Sequence, residues 1–268
     1  MTNLAITDSR KTNYMAVSAI AVIVVIIGLA IPALAATPQR DNAAIKTLQS
    51  AVAASGGADA LAAIQDCVVT GSILNSDGTN RSFTWTTAAS EFRIEVATAD
   101  GGTNVFLSGH GSPAWIFKRK TSSLNPYMAR ANLPFYLPPY VLLQELNNPV
   151  YTLKYIGVVS LNGAKVVQVH ISDDSDPMGT LVTPQEWYFD PVSFLPVRVQ
   201  VREPANENAA SYETATYDMS QFVVVNSVMI PQTISYFNDS SSEVISIGAV
   251  TFNSGVSPNT FDPQGGSR

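Results

Sequence analysis

The chain has 268 residues, 46% of them hydrophobic, enough for one large core or two small ones. Its 15 Lys and Arg against 21 Asp and Glu leave a net charge of -6, and no basic run reverses that balance, so a surface that tracks nucleic-acid phosphates is excluded. A single cysteine, Cys67, excludes an intramolecular disulfide and a Cys-pair metal site, and reads as a small buried hydrophobe at the start of a strand.

Arg10 and Lys11 precede an apolar run over 15–36 that carries no polar side chain between Ile20 and Leu29. Ala33 and Ala35 supply the small residues that a signal peptidase accepts, with cleavage expected after Ala35. The run also approaches the roughly 20 residues that span a bilayer, so an uncleaved inner-membrane anchor, basic end inside, is the alternative. Both place the remainder outside the cytoplasm, periplasmic or exported in the first case and membrane-anchored in the second. The expected organisation is a signal peptide or anchor over 1–36, a linker over 37–42, one domain over 43–263 and a disordered tail over 264–268.

Asp41 or Asn42 can cap a helix with the apolar stripe Ile45, Leu48 and Val52, and Gly56 and Gly57 end it. A second helical turn follows through Ala58, Leu61 and Ile64. From Cys67 the period changes to two. Stretches 69–74 and 81–87 flank a turn cluster, and Phe92, Ile94 and Val96 then alternate with Glu91, Arg93 and Glu95. Strands over 104–108 and 113–120 complete a meander of five.

Residues 122–149 break that pattern. Pro138 and Pro139 suit a first helical turn, and the helix runs on through Leu146 with apolar residues around nearly its whole circumference, as in a helix that is buried or covers something apolar. Strands resume over 151–159 and 165–171. A polar loop over 172–184 precedes the aromatic run Trp187, Tyr188 and Phe189. In the next strand Val197, Val199 and Val201 alternate with Arg198, Gln200 and Arg202, which places one face in the core and the other in solvent. Further strands centre on 212–219, 230–237 and 244–252.

About a dozen antiparallel strands joined by short turns form a sheet that has to curl, split or close. The fold class is mainly β with α+β character: a large curled antiparallel sheet, an incomplete half-barrel with covering helices. A two-sheet sandwich is the runner-up. The order of elements, with Leu195 and Pro196 before the Val-rich strand, Ile230 and Pro231 opening another, and Phe261, Asp262 and Pro263 at the end, resembles the LolA-like periplasmic lipoprotein-carrier superfamily over 42–263. The resemblance implies an incomplete barrel with a helical cover over an apolar cavity, and a role in carrying acyl chains or lipoproteins. The carriers of that superfamily have a Lys-Arg-Pro after an early strand whose Arg pins the cover. Here the comparable stretch is Thr87, Ala88 and Ala89, a departure that bears on lipoprotein transfer and leaves the fold intact.

No catalytic constellation stands out. His110 and His170 sit in no zinc-ligand spacing, and His110 in its Gly-rich turn lacks the strand-to-helix context of a nucleophile elbow. Asp173, Asp174 and Asp176 resemble the start of a calcium loop, but Met178 and Gln185 fall where oxygen ligands belong. The expectation is therefore a non-enzyme with no cofactor and no metal. Trp115, Phe117, Phe135, Tyr136, Tyr140, Leu143, Trp187 and Phe189 are the candidate ligand-binding residues, because a covered half-barrel has a concave apolar interior. The expected partner is an apolar ligand or the acyl chains of a lipoprotein, with membrane contact through 15–36 if that run is uncleaved. The alternative is an anchored envelope module that binds or senses proteins and has no catalysis.

Overall fold

The computed structural model describes residues 38–109, 112–117, 120–123, 137–204 and 211–263. The expected leader or anchor over 1–36, His110, Phe135, Tyr136 and the expected tail over 264–268 lie outside the described residues. Among those described, no helix is long and apolar enough to cross a membrane.

Thirteen strands form one antiparallel sheet in the order β6-β5-β4-β3-β2-β1-β13-β12-β11-β10-β9-β8-β7. The first meander is β1 (Asp66–Asn75), β2 (Asn80–Ala88), β3 (Glu91–Ala97), β4 (Thr103–Gly109), β5 (Ser112–Phe117) and β6 (Lys120–Ser123). The second is β7 (Tyr151–Leu161), β8 (Ala164–Asp173), β9 (Gln185–Phe189), β10 (Pro196–Pro204), β11 (Tyr212–Val225), β12 (Val228–Phe237) and β13 (Ser242–Phe252). Each strand pairs with its sequence neighbour, and one seam, β1 against β13, joins the two meanders. A sheet of this width does not stay flat, because strand twist accumulates. It is an open half-barrel, and the sandwich alternative does not occur. β6 and β7 are its two edges, so the chain between them has to pass from one edge to the other.

Helices α1 (Asn42–Ala54), α2 (Ala58–Ala62) and α3 (Pro138–Asn147) share one core with the sheet. Leu48 and Val52 of α1, Leu61 of α2 and Val141, Leu142 and Leu143 of α3 are buried against strand residues that include Val69, Trp85, Val169, Trp187 and Val199. Asp41 does stand at the N-cap position, but its carboxylate makes no cap bond: it accepts from the Tyr155 amide at 3.1 Å. The same segment pairs in parallel with edge strand β7, the Asp41 amide donating to Leu153 O at 2.8 Å and the Leu153 amide to Gln39 O at 2.7 Å.

Four local expectations need correction. The stretch expected as a polar loop contains a short helix, α4 (Pro177–Val182), capped by the Asp176 carboxylate, which accepts from the Gly179 amide at 2.7 Å. Capping and a Pro at the helix start offset the weak propensity of Gly179. The first meander has six strands rather than five. Arg93, expected on a wet face, is buried because a 3₁₀ turn, Pro258–Phe261, crosses the outer face of β3 and β4. Arg93 donates to Thr260 O at 3.3 Å, and Phe261 lies so close that a Cβ on Gly109 would stand 2.2 Å from its carbonyl oxygen. Pro231 stands within β12 rather than opening it. It is tolerated because the β12–β13 ladder covers only Thr233 to Phe237, so no partner is missing its amide hydrogen.

Candidate functional site

Residues directly opposite one another in antiparallel strands share a face, so the ladder register fixes what the inner face presents. One row runs Val69, Trp85, Ile94 and Phe106 across β1 to β4. A second runs Val169, Trp187, Val199, Tyr217, Tyr236 and Glu243 across β8 to β13. The inner face is thus apolar over most of its span and becomes polar at one end.

Of the expected ligand-binding residues, Leu143, Trp187 and Phe189 are buried in the common core, and Tyr140 is half-buried against it. The rings of Trp187 and Phe189 stack at 6.2 Å between centroids. Trp115 and Phe117 lie on β5, Trp115 opposite Phe106 in register, on the half of the sheet away from β9. Phe135 and Tyr136 are outside the described residues. The structure therefore gathers four of the eight around α3 and β9.

Sequence reasoning missed three features of this face. The first is Glu145, the one charged residue of α3, 2% exposed although its helix is otherwise an apolar cover. Its position is i+4 from Val141 and i+3 from Leu142, which puts it on the buried side, and that spacing was the available signal. Trp187 Nε1 donates to Gln185 Oε1 at 2.7 Å, Gln185 Nε2 donates to Glu145 Oε1 at 2.6 Å, and Glu145 Oε2 is buried with no hydrogen-bond partner. Burial pushes the Glu145 carboxyl up to about 8, against the smaller opposing effect of the Gln185 amide.

The second is the polar end of the face. Glu203 accepts from the hydroxyls of Tyr217 and Tyr236, and Asn238 bridges Glu213 and Tyr236 at 2.8 Å each. Burial raises the Glu203 carboxyl; the two tyrosine hydroxyls oppose the shift and the neighbouring Glu213 and Glu243 add to it. Arg81 reaches Glu243 at 3.4 Å and Asn75 at 2.7 Å. The third is Arg40, whose guanidinium donates to Asn148 O at 2.8 Å, Tyr151 O at 3.1 Å and Leu146 O. A cation at a helix C-terminus satisfies otherwise unpaired carbonyls and complements the helix dipole. Arg40 thereby ties the segment before α1 to the end of α3.

Among the described residues, no catalytic constellation is assembled on this inner face. His170 Nδ1 lies 2.6 Å from Glu186 Oε1, but on the outer face of β8 and β9, where Gln168 also donates to Glu186. Burial pushes the Cys67 thiol up to about 12, which leaves it a packing residue. Among the described residues no group of three or more His, Cys, Asp or Glu is placed to hold a metal ion.

No family model matches the chain, and no curated protein matches it. Solved structures do share its fold. A domain from Vibrio parahaemolyticus assigned to outer membrane lipoprotein-sorting proteins superposes with a TM-score of 0.54 at 12% identity, over 81% of this chain and 95% of its own. A LolA superfamily protein from Nitrosomonas europaea gives 0.52 at 10% identity over 81% and 96%. A DUF1329 family protein from Desulfovibrio piger gives 0.52 at 13% over the same shares. The fold is LolA-like, the architecture that the order of sequence elements resembles.

Proposed function

We propose that this chain binds and carries an apolar ligand, an acyl chain, lipid or lipoprotein, outside the cytoplasm in the cell envelope. The observation that carries this reading is topological. The connection between the two sheet edges bears α3, an apolar helix of only ten residues seated on the apolar inner face, which depends on tertiary contacts for its helicity. Such a helix is suited to act as a cover that an apolar guest can displace. Trp115, Phe117, Phe135, Tyr136, Tyr140, Leu143, Trp187 and Phe189 are proposed to meet the guest. The names of the fold's relatives, lipoprotein-sorting among them, support the same reading. Export rests on the apolar run over 15–36, whether cleaved or retained as an anchor.

Titration of a fluorescent acyl probe into wild type, Tyr140→Ala and Leu143→Ala, with denaturant melts of the same proteins, tests the proposal. If α3 is a cover, each truncation weakens probe binding more than it lowers stability. If α3 is fixed core, each costs roughly 2–5 kcal/mol of stability. A wild type that binds no probe, with truncations that unfold it, overturns the carrier reading and favours an anchored protein-interaction module.

A further inference from the structure

We infer that Glu145 recognises its ligand's polar group, donating a hydrogen bond from Oε2 to the carbonyl of an acyl ester or acyl amide. This rests on the carrier reading and gives it a ligand class. The direction of the hydrogen-bond chain carries it. An indole Nε1 can only donate, so Gln185 Oε1 is the acceptor of the bond from Trp187, and the Gln185 amide orientation is thereby set. Gln185 Nε2 then donates to Glu145 Oε1. Oε1 is consequently the carbonyl oxygen of the carboxyl group, and in the neutral acid the hydrogen resides on Oε2.

That Oε2 is buried, and neither a cation nor a second polar group pairs with it among the described residues. An unsatisfied buried polar atom destabilises the fold, and a leucine of similar size would avoid it. Three donors in series, indole to amide to acid, end on Glu145 Oε2 on the buried side of α3, whose Leu142 and Leu143 share one core with Trp187 of β9. A guest that satisfies this donor in an apolar setting has a neutral carbonyl attached to a hydrocarbon chain. A plain hydrocarbon leaves it unsatisfied.

The test uses the hydrocarbon fluorophore diphenylhexatriene bound to the full chain, displaced by methyl palmitate or by heptadecane delivered from cyclodextrin. The ratio of the two displacing concentrations should favour the ester about three- to tenfold more in wild type than in Glu145→Met, as one neutral hydrogen bond formed in a dry site requires. Glu145→Gln, which retains a donor, should keep most of that preference. An identical ratio in wild type and Glu145→Met overturns the inference while leaving apolar binding intact. Failure of diphenylhexatriene, ester and hydrocarbon alike to bind removes the carrier reading and this inference with it. Should Glu145→Met not fold, the infrared carbonyl band of bound carbonyl-labelled ester decides in wild type alone. A band moved to lower frequency is expected, and one at its position in hydrocarbon solvent contradicts the assignment.

Discussion

Glu145 links stability to pH in a direction opposite to most carboxylates. Burial holds its proton in the folded chain up to about 8, whereas the unfolded chain releases it near the ordinary value of 4.5. Between those values the folded state binds more protons than the unfolded one, so the stabilisation present below 4.5 is lost as pH rises, by about 1.4 kcal/mol per pH unit at most. Urea midpoints of wild type should therefore fall between pH 5 and 8 relative to Glu145→Gln, and parallel curves would show that the carboxyl is not held neutral. A second residue-scale expectation concerns β10. Val199 is fully buried, while Gln200 faces outward, accepting from the Tyr188 hydroxyl at 2.9 Å. Val199→Asp should cost roughly 3 kcal/mol or more and Gln200→Asp less than about 1 kcal/mol in thermal or chemical melts, because an unpaired buried charge is the larger penalty. The Val199 assignment was legible in the sequence, since period-two alternation is a local property. The burial of Arg93 was not, because the turn that covers it comes from the other end of the chain. Glu145 was in principle legible as a lone acid on the apolar stripe of a helix, but what it bonds to lies 40 residues away.

At the scale of elements, two clasps hold the sheet's coverings. The C-terminal segment is fastened at Asp66, whose carboxylate accepts from the amides of Ser254 at 2.7 Å, Gly255 at 2.9 Å and Val256 at 3.3 Å, and at Arg93. Gly109 permits the close approach of Phe261. Gly109→Ala should push that segment away, with a loss of roughly 1–3 kcal/mol and faster proteolytic cleavage within 253–263; unchanged cleavage would place the segment elsewhere in solution. Arg40 is the clasp of α3. Arg40→Ala should raise amide hydrogen exchange over 140–151 while leaving the strands of the second meander protected, and uniform protection would separate Arg40 from the cover. Neither clasp could be read from the chain. Each joins segments far apart in sequence through backbone amides or carbonyls, which carry no residue-type signal. The helices and most strands could be read, because capping residues, glycines and alternation act within a few positions.

For the molecule as a whole, an open sheet of thirteen strands with its two edges joined by an apolar helix creates a covered inner face without closing a barrel. The order of elements was enough to anticipate this LolA-like architecture, since each meander is built from sequence neighbours. It did not reveal the polar end around Glu203 or the buried acid beneath the cover, both of which depend on cross-strand register. The central claim is that the face beneath α3 holds an apolar guest. Its most direct measurement is mass spectrometry of lipid extracted from the full chain purified out of its native envelope under mild conditions. The account predicts a carbonyl-bearing acyl species recovered in near-equal proportion to the protein and depleted from the Tyr140→Ala and Leu143→Ala variants; protein that emerges free of any apolar molecule, together with no uptake when acyl lipid is supplied, would contradict it.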